Sequence, residues 1–185
     1  MTDLAKLLSD PSELDAGLAE AVLSEEAVYE GALIKVRRQQ VRLPGGRVSH
    51  RELMRHCGAA AMVAVDGEGR VLLERQWRAP LGRAFWEIPA GKMDPGETPF
   101  ETAVRELEEE AGVLAGRWTF LGTIHNAIGY SDEHIEIYLA RELTETAQSF
   151  DDNEFIALVR VPRAEAVAMT RDGRITDVKS LAGLA

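Results

Sequence analysis

The chain has 185 residues, 45% of them hydrophobic, with 21 basic and 31 acidic side chains and a formal net charge of −10. That length and composition suit one sizeable core with a small appendage. The acidic excess argues against non-specific nucleic-acid binding and against docking on an anionic membrane.

Cys57 is the sole cysteine. No internal disulfide can form, so a reducing cytoplasmic location is expected, with the thiol as a small buried hydrophobe. The N-terminal MTDLAKLLSD lacks the layout of a signal peptide, and residues 1–24 read as one or two short, weak helices. EAVYEG, LIKVRRQQVRLP and RVSHRELMRH are strand-like, and the last two flank the turn signal LPGG. AAMVAV and RVLLERQW follow, joined by DGEG as a second hairpin. The apolar run near CGAAAMVAV is far shorter than the roughly 18 residues a membrane helix needs.

FWEIPAGKM leads into a loop closed by DPGE, and residues 97–111 carry the strongest helical pattern of the chain. WTFLGTIHN and HIEIYLARE read as strands, ELTETAQSFDDNE as a polar loop, and FIALVRVP as a strand. PRAEAVAMTRDG and ITDVKSLAGL read as two closing helices, the first ended by Gly173. Mixed strands with few helices predict an α+β fold of α/β/α layers. Residues 1–57 are expected to form a β-rich N-terminal segment and residues 58–185 the main domain. Trp77 and Trp86 are expected in the core rather than stacked on a base.

The helix over 97–111 is unusual in its charges. Phe100, Ala103, Val104, Leu107 and Ala111 share an apolar stripe. Glu106, Glu109 and Glu110 stand at i, i+3 and i+4 on another face, while Glu108 lies about 200° from Glu106 and points elsewhere. Like charges at such spacing destabilise a helix by about 0.2–0.5 kcal/mol per pair, and the C-terminal end disfavours acids further. A merely solvated acidic face would more naturally carry lysines at i+4, and here there are none. Three convergent carboxylates suit a hard divalent cation such as Mg²⁺ or Mn²⁺, which takes oxygen ligands.

Gly91, Glu97, Arg105, Glu106, Leu107, Glu109, Glu110, Gly112 and Val113 together resemble the Nudix hydrolase box at every defined position. The resemblance implies an α/β/α sandwich with a mixed sheet. It also implies Mg²⁺- or Mn²⁺-dependent hydrolysis of a nucleoside diphosphate linked to a second group. Glu106, Glu109, Glu110 and the Ala90 carbonyl are similar to the family's metal ligands. Arg105 is suited to pair with a neighbouring carboxylate and fix its rotamer.

The flanks RQWRAP…FWEIPAGK, GYSDEHIEIYLA and GRITDVKSLAGL resemble the ADP-ribose pyrophosphatase branch. On that resemblance Arg78, Glu87, Arg51 and Glu133 are substrate-binding candidates, with an Arg78–Glu87 ion pair a compatible reading. The catalytic base is expected from SFDDNE: Glu154 first, or Asp152 if Glu154 ligates metal, with Glu109 as a further catalytic candidate. One departure stands out, since Ile128 occupies the place where the branch carries a proline that would set φ.

ADP-ribose, cleaved to AMP and ribose 5-phosphate, is therefore set against another nucleoside diphosphate sugar such as GDP-mannose, and against a non-catalytic ADP-ribose-binding regulator. The N-terminal strands are too few to bury a core alone, and related pyrophosphatases exchange contacts through this region. A homodimer is expected, with Arg51 acting across the interface.

Overall fold

The computed structural model describes residues 8, 10–149 and 155–185, with residue 13 described by its backbone alone. The chain divides into two compact units, one of residues 1–56 with 127–132 and one of residues 57–126 with 133–185.

In the first unit, helix α1 (Ser12–Leu18) precedes an antiparallel meander of β1 (Ala21–Glu30), β2 (Lys35–Arg42) and β3 (Val48–Arg55). The LPGG turn closes β2 onto β3 as read from sequence, with the Gly46 N–H donating to the Leu43 carbonyl at 2.8 Å. Residues 21–24, read as helical, are the first residues of β1. Residues 127–132 form a turn beside β3, where the Met54 N–H donates to the Tyr130 carbonyl at 2.7 Å. Ile128 sits at its tip, 83% exposed.

The second unit is built on a mixed four-stranded sheet in the order β7 (Ala90–Lys92), β4 (Ala59–Ala64), β9 (His134–Glu145), β8 (Val113–His125). Strand β4 runs parallel to β9 and antiparallel to β7. All six residues of β4 are buried, as befits a central strand covered on both faces. A second, antiparallel sheet has the order β10 (Ile156–Pro162), β5 (Arg70–Arg78), β6 (Arg83–Glu87).

Alternation along β4 sorts the core into two layers. Ala60, Met62 and Ala64 face helix α2 (Pro99–Ala111) and its Ala103, Leu107 and Ala111. Ala59, Ala61 and Val63 face the opposite way, against Met169 of α3 (Arg163–Arg171) and Leu184 of α4 (Val178–Leu184). The α/β/α sandwich is thus present, with α2 on one face of the sheet and α3 and α4 on the other.

Other expectations need correction too, and residues 142–145, expected in a polar loop, are the end of β9. DGEG does make a turn, with the Asp66 carboxylate accepting from the Glu68 and Arg70 N–H groups at 3.0 and 2.9 Å. The strands it joins nevertheless enter different sheets, with the isolated bridge Val65–Val71 beside the turn in place of a hairpin ladder. Trp77 is not a core residue: it is 62% exposed, because it sits near the outer end of β5 opposite Ala84. Trp86 does pack on the core, under the Arg75 guanidinium at 5.0 Å. Cys57 is exposed rather than buried, since it lies in the link between β3 and β4 and not in either strand.

Candidate active site

Helix α2 begins two residues later than its apolar period suggests, and its start explains why. Thr98 is the N-cap: its Oγ1 accepts from the Glu101 N–H at 3.3 Å, and the Glu101 carboxylate accepts from the Thr98 N–H at 2.8 Å. This reciprocal cap, with Pro99 in the first turn, fixes the entry of the helix. Gly112 ends it at φ +61°, a left-handed conformation that suits glycine. The carbonyls left over at this end are met by residues just past β9. Ser149 N–H donates to Glu109 O at 3.0 Å, and Gln148 Nε2 donates to Glu110 O at 3.0 Å.

Arg105 organises the acidic face. Its Nε and Nη2 donate to the two oxygens of Glu97 at 2.8 and 2.9 Å. Its Nη1 reaches Glu106 Oε1 and Glu109 Oε2, each at 2.9 Å. Glu97 also accepts from Thr102 Oγ1 at 2.7 Å. The Arg105 bonds, then Thr102, hold the Glu97 carboxyl down at about 2, and Arg105 is itself raised above its usual value. Arg105 thus offsets part of the repulsion among the carboxylates.

The helix face and the preceding loop meet closely. Glu110, 3% exposed, accepts from the Ala90 N–H at 3.1 Å. Gly91 lies so near Glu106 that a β-carbon there would fall 1.8 Å from the Glu106 Cδ. Any other residue at 91 would occupy the space the carboxylate fills. Glu108 lies apart, within 3.4 Å of Thr146 Oγ1, as the helical phasing predicts.

The donor set fits a hard divalent ion. Glu106 and Glu110 are carboxylates packed against the backbone at Ala90 and Gly91, with Glu109 on the same helical face. In the conformation described, Glu106 and Glu109 are turned onto Arg105, and among the described residues no group of three His, Cys, Asp or Glu side chains is gathered at metal-holding distance.

Residues 54–182 match the model of the NUDIX domain. The chain belongs to the Nudix hydrolase family. Residues 20–54 match a second model, the nucleoside diphosphate sugar hydrolase N-terminal domain. An ADP-ribose pyrophosphatase of Bacillus subtilis (strain 168) is 36% identical over 165 residues, spanning 88% of this chain and 89% of the relative. One of Mycobacterium tuberculosis (strain H37Rv) is 39% identical over 165 residues, spanning 88% and 80%. A crystal structure of an ADP compounds hydrolase superposes with a TM-score of 0.78 at 26% identity, covering 89% of this chain and 90% of that one. Nudix hydrolases generally need a divalent metal. No helix among the described residues is long and apolar enough to cross a membrane.

Of the residues singled out from the sequence, Ala90, Glu106, Glu109 and Glu110 come together around the Nudix box. Arg78 and Glu87 form a bidentate pair, Nε to Oε1 at 2.8 Å and Nη2 to Oε2 at 2.7 Å. Burial raises the Glu87 carboxyl, but Arg78 and the neighbouring Lys179 outweigh it and hold it below its ordinary value. Glu133 is half-buried just before β9. Arg51 belongs to the other unit, where it pairs with Glu20 and donates to the His50 carbonyl at 2.9 Å. Asp152 and Glu154 lie outside the described residues.

A cavity of about 320 Å³ lies at the far end of α2, beside Ala111, Gly112, Gln148 and Arg160. Of the box residues Gly112 lines it, and none of the candidate catalytic, substrate or metal residues does. The sequence reading overlooked Lys179 and Ser180, which contact Glu87 and Ile88 across 92 positions of sequence, and Asp177, which accepts from both. The signal was present only as a lysine and a serine inside an otherwise apolar closing helix.

Proposed function

We propose that the chain is a Mg²⁺-dependent ADP-ribose pyrophosphatase that yields AMP and ribose 5-phosphate. The observation that carries this is the likeness to two ADP-ribose pyrophosphatases over 88% of the chain, joined to an intact box whose carboxylates pack on the Ala90–Gly91 backbone. Mn²⁺ is the alternative ion.

In this reading Glu106, Glu109, Glu110 and the Ala90 carbonyl hold the metal. When bound, the metal neutralises phosphate charge and lowers the pKa of water. Arg105 holds Glu106 and Glu109 aligned. Arg78 offers its guanidinium to the pyrophosphate or ribose, with Glu87 orienting it and Glu133 a further substrate contact. A water oxygen bonds to one phosphorus while the bond from that phosphorus to the bridging oxygen breaks, and the proton passes to a carboxylate. Glu154 is the first choice for that base, with Asp152 or Glu109 next.

The first unit supports a homodimer. All ten residues of β1 are exposed, with Val22, Leu23, Val28 and Tyr29 among them, and a lone three-stranded sheet with such an edge invites pairing. Arg51 of one subunit then helps wall the substrate pocket of the other, and gel filtration with light scattering gives about twice the 20.3 kDa chain mass. On this reading residues 1–57 are the dimerisation segment and residues 58–185 the hydrolase domain, in a cytoplasmic setting.

Ile128 favours a second reading. Its exposed turn lacks the branch's proline, so another nucleoside diphosphate sugar such as GDP-mannose is the alternative substrate. A panel of ADP-ribose, GDP-mannose and UDP-glucose assayed with Mg²⁺ for phosphate-monoester release tests both. The highest kcat/KM falls on ADP-ribose; a clear preference for the guanine or uracil nucleotide moves the enzyme to the second reading.

A further inference from the structure

Helix α4 packs against the strand that leads into the candidate metal loop, and the contact is polar as well as apolar. Lys179, 5% exposed, sets its Nζ against Glu87 Oε2 and lies 3.1 Å from Asp177 Oδ2. Asp177 is the N-cap of the helix and accepts from the Ser180 N–H at 3.0 Å. Ser180 Oγ donates to Asp177 Oδ2 at 2.6 Å and accepts from the Ile88 N–H at 2.8 Å. On the other side, the Pro89 carbonyl accepts from the Met62 N–H at 2.9 Å. Residues 87–89 are therefore gripped from both sides immediately before Ala90.

A buried lysine is costly to desolvate, and replacing a buried ion pair by apolar residues is often neutral or stabilising. Stability alone therefore gives little reason for a lysine here. Its effect on the neighbouring groups is more specific. Glu87 is 2% exposed, and both its oxygens already accept from Arg78. The ammonium on Oε2 fixes the carboxylate in that plane. Arg78 then has Nε and Nη2 committed to Glu87, on a side chain that is still 41% exposed. A guanidinium held in advance meets an incoming anion with less ordering to do.

We propose that Lys179 is a positioning residue for substrate binding: through Glu87 it holds the partly exposed Arg78 guanidinium in place for the diphosphate of the nucleotide sugar. The inference rests on the pyrophosphatase reading, in which Arg78 meets the substrate.

Lys179→Met removes the charge at similar length. Initial rates on ADP-ribose with Mg²⁺, alongside calorimetric Tm, are expected to show KM raised about tenfold with kcat nearly unchanged. Lys179→Arg, which keeps a cation beside Glu87, returns KM toward that of the unmodified chain. A folded Lys179→Met chain with lowered Tm and unmoved KM overturns the proposal, because the lysine is then structural. If Lys179→Met does not fold, Lys179→Gln takes its place with the same expected rise in KM, and failure of both to fold also overturns it. An unmodified chain that leaves ADP-ribose intact refutes the substrate reading instead. The same variants are then read on GDP-mannose or UDP-glucose, whichever it cleaves, since the diphosphate is common to all. An unmoved KM there overturns the inference as well.

Discussion

The two units use charge in opposite ways. In the first, Arg37, Arg38 and Arg55 bridge Glu25, Glu26, Glu30, Glu52 and Asp132 on open strand surfaces. Val41 is its sole fully buried apolar side chain among the described residues. In the second, two apolar clusters sandwich the sheet, and the charges that matter are buried or half-buried: Glu110 on the Ala90 backbone, Arg105 among three glutamates, and Glu87 between Arg78 and Lys179. Exposed pairs of the first kind contribute roughly 0–1 kcal/mol each and weaken with salt. Buried charges of the second kind cost desolvation, and removing one partner leaves the other buried and uncompensated. The difference teaches where to look for chemistry: in charges the fold has buried against its own interest, rather than where charges are most numerous.

The sharpest break in that comparison is at the box. Glu106→Gln and Glu110→Gln should each lower kcat by at least about a hundredfold with the fold intact by circular dichroism, as expected for loss of a charged metal ligand. Glu108→Gln, on another face beside Thr146, should stay near the unmodified rate in the same assay. Equal damage at 108 and 110 would mean the helical phasing is wrong.

Packing gives the next largest contrast. Leu107 is fully buried in the α2 layer, so Leu107→Ala should cost about 2–5 kcal/mol in urea unfolding. Arg38→Gln removes two exposed pairs at 3.4 and 3.5 Å and should change stability by less than about 0.5 kcal/mol. An Arg38 effect as large as that of Leu107 would show that the first unit depends on its surface charges.

The smallest effect is a matter of pH. The Glu97 carboxyl is lowered from 4.5 to about 2 by Arg105 and Thr102. Its folded-state value lies below its unfolded one, so the ionised form favours folding. That contribution is complete above about pH 4.5 and is lost as pH falls toward about 2. The Tm difference between the unmodified chain and Glu97→Gln should therefore shrink across that window. A difference that stays constant would show that Glu97 acts through packing alone.

Much of this was legible in the sequence, for reasons that can be named. The helix over 97–111 follows from its 3.6-residue period, and the box lies within one short stretch, so local spacing places Glu106, Glu109 and Glu110 together. Most strands of the sandwich were visible as apolar or alternating runs, but β6 and β7 were read only as the approach to a loop, and the last residues of β9, 142–145, as part of a polar loop. What local pattern does not encode is which sheet a strand joins. DGEG therefore read as an ordinary hairpin, although β4 and β5 part after one bridge. Trp77 was misplaced because burial depends on what packs over a strand end, and Cys57 because it falls in the link between β3 and β4. Lys179 was invisible because its partner Glu87 is 92 residues away, and nothing in a helical period reports a contact to a distant strand.

The central claim is that the face carrying Glu106, Glu109 and Glu110 binds the divalent ion that the reaction needs. Titration of Mn²⁺ into the full chain, followed by the paramagnetic resonance of the free ion, tests it without reference to any substrate. The account predicts tight Mn²⁺ binding by the unmodified chain, equal binding by Glu108→Gln, and affinity lowered by at least about tenfold in Glu110→Gln. Binding by Glu110→Gln that matches the unmodified chain would contradict it.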